Sequence, residues 1–404
     1  MEHMKYGNFN EPSLDAVDHY NRYEEDIKMV AEAGLNAYRF SIEWARIEPK
    51  QGVYDENEIE HYRKVLTCCR ENGVEPIVTM MHFTSPKWLI ENGGWENEAT
   101  VEAFKNYCQY VTEQLGDLMH YVCTINEANM GIQVAAISAR YRAQMMAKMQ
   151  RMQQGGAEEK KDLEGTAQVG MNFNDMMANM QKQKEENVEI FGTDTLQTFV
   201  SARTPEGDML VIRAHQAARA AMKAVKPELQ IGLTLSLHDI QAQEGGEETA
   251  AKEWVDEFTH YVPYIKEDDF FGLQNYSRSL IGPNGILPVP EGAEITQMDY
   301  EYYPEGLEHV IRRVYEEMPM PIMVTENGIA TADDTRRVAY IQTAMKGVEN
   351  CIQDGIPVKG YMYWSMMDNF EWQKGFGMTF GLISVDRTTQ TRTAKPSLTV
   401  LGNY

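Results

Sequence analysis

Glu127 closes the run Thr124-Ile-Asn-Glu127, and Glu326 sits inside Val324-Thr-Glu-Asn-Gly328. Each follows a short β-branched stretch, which puts a carboxylate where a strand gives way to a loop. Two carboxylates meeting in this way suit cleavage of a glycosidic bond. One acts as a carboxylic acid that protonates the leaving oxygen, and the other, ionised, attacks or stabilises an oxocarbenium-like centre. A barrel of parallel strands gathers such residues at its C-terminal rim, however distant they are in sequence. Taken singly, each signal is weak. Asn327-Gly328 is a turn dipeptide, and a lone carboxylate at a strand end more often caps a helix or faces water. The pair shifts the balance.

Positioning that pair is the task of the surrounding elements. Strand-like runs bounded by turns alternate with amphipathic helical stretches, the pattern of βα units around a parallel sheet. A first helix is expected over residues 14–33, capped by Ser13, striped by Val17, Tyr20, Ile27 and Val30, and stopped by Gly34. Strands are expected at 36–42, 75–81, 121–125, 229–235, 270–273, 321–325 and 358–363. The fold class is α/β, a TIM-type (β/α)8 barrel, which takes eight strands where seven are visible. The first strand is expected to lie before Met1. Residues 1–404 read as one barrel domain, interrupted at about 143–192 by a stretch rich in Met, Gln and Lys. Composition favours a solvated helical excursion there. A sharper reading makes it a lid whose methionines line an outer substrate site.

Composition narrows the partners. A hydrophobic content of 43% over 404 residues supports a large core, and a formal charge of −24 argues against nucleic acid or anionic membrane, both polyanions. No run of apolar residues is long enough to span a bilayer, and the opening Met1-Glu-His-Met-Lys is unlike a secretion signal. A cytoplasmic location is expected. The five cysteines have neither metal-ligand nor redox spacing, so core roles are expected and no metal or cofactor is assigned.

Several motifs, in order along the chain, give it a resemblance to the family-one glycoside hydrolases. They are Asp18-His-Tyr-Asn-Arg-Tyr-Glu-Glu-Asp26, Ala37-Tyr-Arg-Phe-Ser-Ile-Glu-Trp44, Gly93-Gly-Trp95, Thr124-Ile-Asn-Glu127, Thr325-Glu-Asn-Gly328 and Tyr363-Trp-Ser-Met-Met-Asp-Asn-Phe-Glu-Trp372. The resemblance implies a retaining β-glycosidase, β-glucosidase-like, acting by double displacement on the terminal non-reducing sugar of small neutral β-glycosides. By the same resemblance Glu127 is the general acid/base and Glu326 the nucleophile, with Arg39 beside the nucleophile and Tyr276 hydrogen-bonded to it. His82 and Asn126 match residues that bind sugar hydroxyls, while Trp364, Glu371 and Trp372 match the sugar platform. Without the motifs, Arg39 would read as an ordinary buried ion pair, Tyr276 as a core aromatic and His82 as a structural histidine.

Glu371 favours an unphosphorylated sugar, because a 6-phosphate dianion beside it would be repelled. Three departures from the family pattern stand out: Ala128 where proline is usual, Gln274 where asparagine is usual, and no counterpart of the first strand with its sugar-binding glutamine. The last motivates an alternative, a catalytically impaired carbohydrate-binding relative. Unpaired strand edges would also promote self-association, and homo-oligomerisation stays open.

Overall fold

The computed structural model describes residues 1–153 and 180–404. Seven parallel strands carry the fold: β1 (Ala37–Ser41), β2 (Glu75–Met81), β3 (Tyr121–Ile125), β4 in two segments (Gln230–Gly232 and Thr234–Ser236), β5 (Phe271–Gln274), β6 (Ile322–Asn327) and β7 (Val358–Tyr363). The first segment of β4 pairs with β3, and its second segment pairs with β5. The order is therefore β1-β2-β3-β4 and then β4-β5-β6-β7. The expected continuous strand at 229–235 breaks at Leu233, whose N–H is taken by the Asp268 carboxylate at 3.0 Å.

The helices form where their caps and stripes demand. In α2 (Glu56–Glu71) the Asp55 side chain accepts from the Asn57 N–H, while Ile59, Tyr62, Leu66 and Cys69 face inward. Ahead of α4 (Pro205–Val225), the Thr204 hydroxyl accepts from the Gly207 N–H and Pro205 supplies a first residue already set for helix. α3 (Ala99–Leu115) packs along α4, and α5 (Gly306–Glu317) and α6 (Asp334–Gln353) continue the outer layer, which α7 (Pro396–Leu401) completes. Most of the apolar interior forms one cluster between strands and helices.

The first helix differs from expectation. α1 runs His19–Glu32, and Leu14, Ala16 and Asp18 all take positive φ, so Ser13 caps nothing. Tertiary contacts explain the delay. Arg392 donates to the Val17 carbonyl, Gln390 to the Ala16 carbonyl, and Arg387 to Asp15, so the C-terminal hairpin holds this segment in tight turns. Gly34 ends the helix as expected, at φ 88°. The helix Met130–Gln153 carries the methionine-rich run at the start of the 143–192 stretch and the helix Met180–Phe191 its end; residues 154–179, and with them part of the lid reading, lie outside the described residues.

Among the described residues, β1 pairs with β2 alone and β7 with β6 alone. Their strand burial shows the same opening. All five residues of β1 are half-buried, whereas every residue of β6 is buried. A groove of about 380 Å³ runs between β1 and β7.

Candidate active site

The two carboxylates sit side by side in function but on different backbones. Glu127 follows β3 in the left-handed region, φ 45°, and its N–H donates to the Thr234 hydroxyl at 3.0 Å. That bond ties the turn after β3 to the second half of β4. Glu326 lies within β6 rather than in the loop expected after residue 325, and the ladder with β5 slips between Val324 and Glu326. Such an irregularity re-aims a side chain without breaking the sheet.

Both are buried, with 3% of Glu127 and 4% of Glu326 exposed. Their surroundings make them unlike. Arg39 Nη1 donates to Glu326 Oε1 at 2.6 Å, and the Tyr276 hydroxyl donates to Oε2 at 2.6 Å. Both oxygens of Glu326 thus accept, the role of an ionised carboxylate. Burial acts against the charge on Arg39, but Glu326 and Cys123 together outweigh it and hold the guanidinium above its ordinary range. In Glu127 burial dominates, and the charge of Glu326 adds to it; the carboxyl is pushed well above the ordinary glutamate range, with Arg39 pulling weakly back. One group is held as an acid and the other as an acceptor.

Arg39 also organises the sugar side. Its Nη2 donates to Asn126 Oδ1 at 2.6 Å, and Gln274 Nε2 donates to the same oxygen at 2.7 Å. With its oxygen doubly occupied, Asn126 turns its amide nitrogen toward His82 Nε2, 3.2 Å away. Burial and the nearby Arg39 hold His82 well below its usual range, hence neutral and able to accept. The His82 ring lies 5.6 Å from that of Trp364 and 6.2 Å from that of Trp372, both near-parallel. Glu371 is buried beside them, its carboxyl pushed up to about 8 by burial and by the charge of Glu326. All nine expected residues therefore converge on one rim.

Other contributors were not singled out from sequence. Thr234 anchors Glu127, and Gln274 is an orienting partner of Asn126 rather than a mere departure. Tyr300 is buried with its hydroxyl unpartnered, close enough to Glu371 and Glu127 to feel their charges. Thr234 carried a faint signal as the β-branched residue opening the second half of a strand; Tyr300, in irregular chain, carried none. The departure at Ala128 has a local use: its N–H donates to the Thr234 carbonyl at 2.9 Å, a bond proline could not make.

An acid and an acceptor carboxylate, set at the C-terminal ends of parallel strands with aromatic rings around them, define a β/α-barrel glycoside hydrolase. The family follows from comparison. The model of glycosyl hydrolase family 1 matches residues 2–402, and the chain belongs to that family. Beta-glucosidase A of Acetivibrio thermocellus is 29% identical over 417 residues, covering 95% of this chain and 85% of that protein. A 6-phospho-beta-galactosidase of Lacticaseibacillus casei is 26% identical over 426 residues, covering 95% and 87%. The solved structure of beta-glycosidase BGL167 superposes with a TM-score of 0.84 at 43% identity, covering all of this chain and 89% of that one.

Proposed function

We propose that this family 1 enzyme, a retaining β-glycosidase of the β-glucosidase kind, works through Glu326 as nucleophile and Glu127 as acid/base. The observation that carries the assignment is the asymmetry of the pair. Glu326 has both oxygens held by Arg39 and Tyr276, while Glu127 is driven toward its neutral form by burial and by Glu326 itself. In the first step Glu326 attacks the anomeric carbon as Glu127 gives its proton to the departing oxygen. Loss of that proton leaves Glu127 able to take one from water, which then releases the sugar from Glu326.

With Nε2 of neutral His82 taken by the Asn126 amide, His82 Nδ1–H and the second Asn126 N–H offer donors to sugar hydroxyls, Trp364 and Trp372 supply apolar faces, and Glu371 accepts from further hydroxyls. The glycone is neutral rather than 6-phosphorylated. Relatives named for both classes exist, and the reading rests on the carboxyl of Glu371, buried where a phosphate dianion would be repelled once Glu371 ionises.

The test is kinetic. Glu127→Ala should slow glycosides with poor leaving groups by roughly 10²–10⁴-fold, leave activated aryl glycosides far less affected, and regain deglycosylation when azide is added. Uniform loss across leaving groups, with no effect of azide, would remove Glu127 from the acid/base role.

A further inference from the structure

We infer that residues 5–11 form a strap that holds the sugar platform in place, with Phe9 and Glu11 as positioning residues for Glu371 and Trp372. This rests on the glycosidase reading of that platform. Trp372 takes φ 43°, a left-handed backbone that a bulky side chain rarely adopts. Three residues on, Gly375 stands at φ 71° and ψ −143°, a conformation that favours glycine. A turn of this kind persists where its surroundings over-determine it.

Two bonds close the turn from within: the Glu371 N–H donates to the Gly375 carbonyl at 2.8 Å, and the Lys374 N–H to the Glu371 carbonyl at 2.9 Å. The strap grips it from outside. The Asn10 N–H donates to the Gln373 carbonyl at 2.9 Å, and Glu11 Oε1 accepts from the Phe376 N–H at 2.9 Å. The Phe9 ring lies parallel to that of Phe370, centroids 6.2 Å apart, and Phe370 meets Phe376 at 5.2 Å. A Cβ on Gly375 would run into the Glu11 carboxylate, so the close approach of the strap needs glycine there as much as the turn does.

The other end of the strap is held as well. The Lys5 and Tyr6 N–H groups donate to the two carboxylate oxygens of Glu186 at 2.7 and 2.9 Å, and Gln183 Nε2 donates to Asn8 Oδ1 at 2.9 Å. Glu186 and Gln183 belong to the helix Met180–Phe191, so that helix reaches the platform through the strap. Loosening the strap lets the strained turn relax and carries the Glu371 carboxyl and the Trp372 ring away from the sugar. Glu127 and Glu326 keep their own ties to Thr234, Arg39 and Tyr276. Affinity falls while the chemical step is spared, a rise in KM with kcat nearly constant.

The test compares Phe9→Ala, Glu11→Ala, Glu11→Gln and Glu186→Ala with the wild type and with Glu371→Gln, using an aryl β-glucoside as substrate and glucose as competing ligand. In Phe9→Ala and Glu11→Ala, KM and the inhibition constant of glucose should rise roughly fivefold. Their kcat should stay within about twofold, and melting should shift by less than about 2 °C. The Phe376 amide should exchange faster in Glu11→Ala. Glu11→Gln keeps an acceptor oxygen at the same reach and should restore most of the affinity. Glu186→Ala should give a smaller rise, and its combination with Glu11→Ala less than the product of the two, because both act through one strap. Wild-type KM and glucose affinity in Phe9→Ala and Glu11→Ala, or losses in kcat and melting temperature that Glu11→Gln does not rescue, would overturn the inference. Weakened glucose binding in Glu371→Gln beside wild-type binding in the strap variants sinks the strap alone. Wild-type binding in Glu371→Gln sinks the platform reading, and the strap's role with it.

Discussion

In the proposed mechanism two chemically identical side chains become an acid and a nucleophile through what lies within hydrogen-bond reach of each. Glu326→Gln keeps the shape but removes the attacking oxygen, so turnover should fall to background, measured by release of an aryl leaving group. Glu371 gives a further prediction with a definite sign. Its carboxyl ordinarily ionises near 4.5 and is pushed up to about 8 in the folded site. Between those values the folded chain holds a proton that the unfolded chain has lost, so this group's contribution to stability drains away as pH rises through that window. Glu371→Gln should therefore melt above the wild type by a margin that widens from about pH 5 to about pH 8, while losing affinity for sugar. Melting curves at both values decide it, and a margin constant with pH would contradict the assigned shift.

At the scale of elements, function depends on how strand ends are tied to one another. The Thr234 hydroxyl receives the Glu127 N–H and donates to the Ile125 carbonyl. Thr234→Val keeps the volume but strands a buried donor, at about 1–3 kcal/mol. It should also lower kcat on poor leaving groups more than it raises KM, because the acid is then less firmly aimed; unchanged kinetics and melting would show that the tie is dispensable. Such ties explain what sequence could and could not supply. The strands leading to Glu127 and Glu326 were legible, because β-branched runs before conspicuous polar residues have a short-range signature. The start of α1 was not, since Arg387, Gln390 and Arg392, more than 350 positions away, hold residues 15–17 in turns. Nor was the break in β4, which needs Asp268, or the placement of Glu326 inside the strand, where register shifts carry the ladder past Val324. Gln274 was noticed as unusual, but its hold on Asn126 exists only across the barrel.

The whole molecule sets which substrates arrive and how firmly the rim is held. A charge of −24 repels anions in bulk, and Glu371 adds a local repulsion as it ionises toward pH 8. Of a matched pair of aryl β-glucosides, the neutral one should turn over faster than its 6-phosphate; faster turnover of the phosphorylated member would overturn the glycone assignment. The open edges of β1 and β7 belong to this scale too, because they bound a groove that reaches from the outer helices to His82 and Trp364. No described helix is long and apolar enough to cross a membrane.

The proposed mechanism turns on a covalent bond between Glu326 and the sugar. It is tested most directly by mass spectrometry of the chain after reaction with a 2-fluoro-substituted aryl β-glucoside, whose glycosyl-enzyme is slow to hydrolyse. The predicted result is one glycosyl adduct per chain, mapped by digestion to Glu326 and absent from Glu326→Gln. An adduct on any other residue, or none despite measurable turnover of the unsubstituted glucoside, would contradict it.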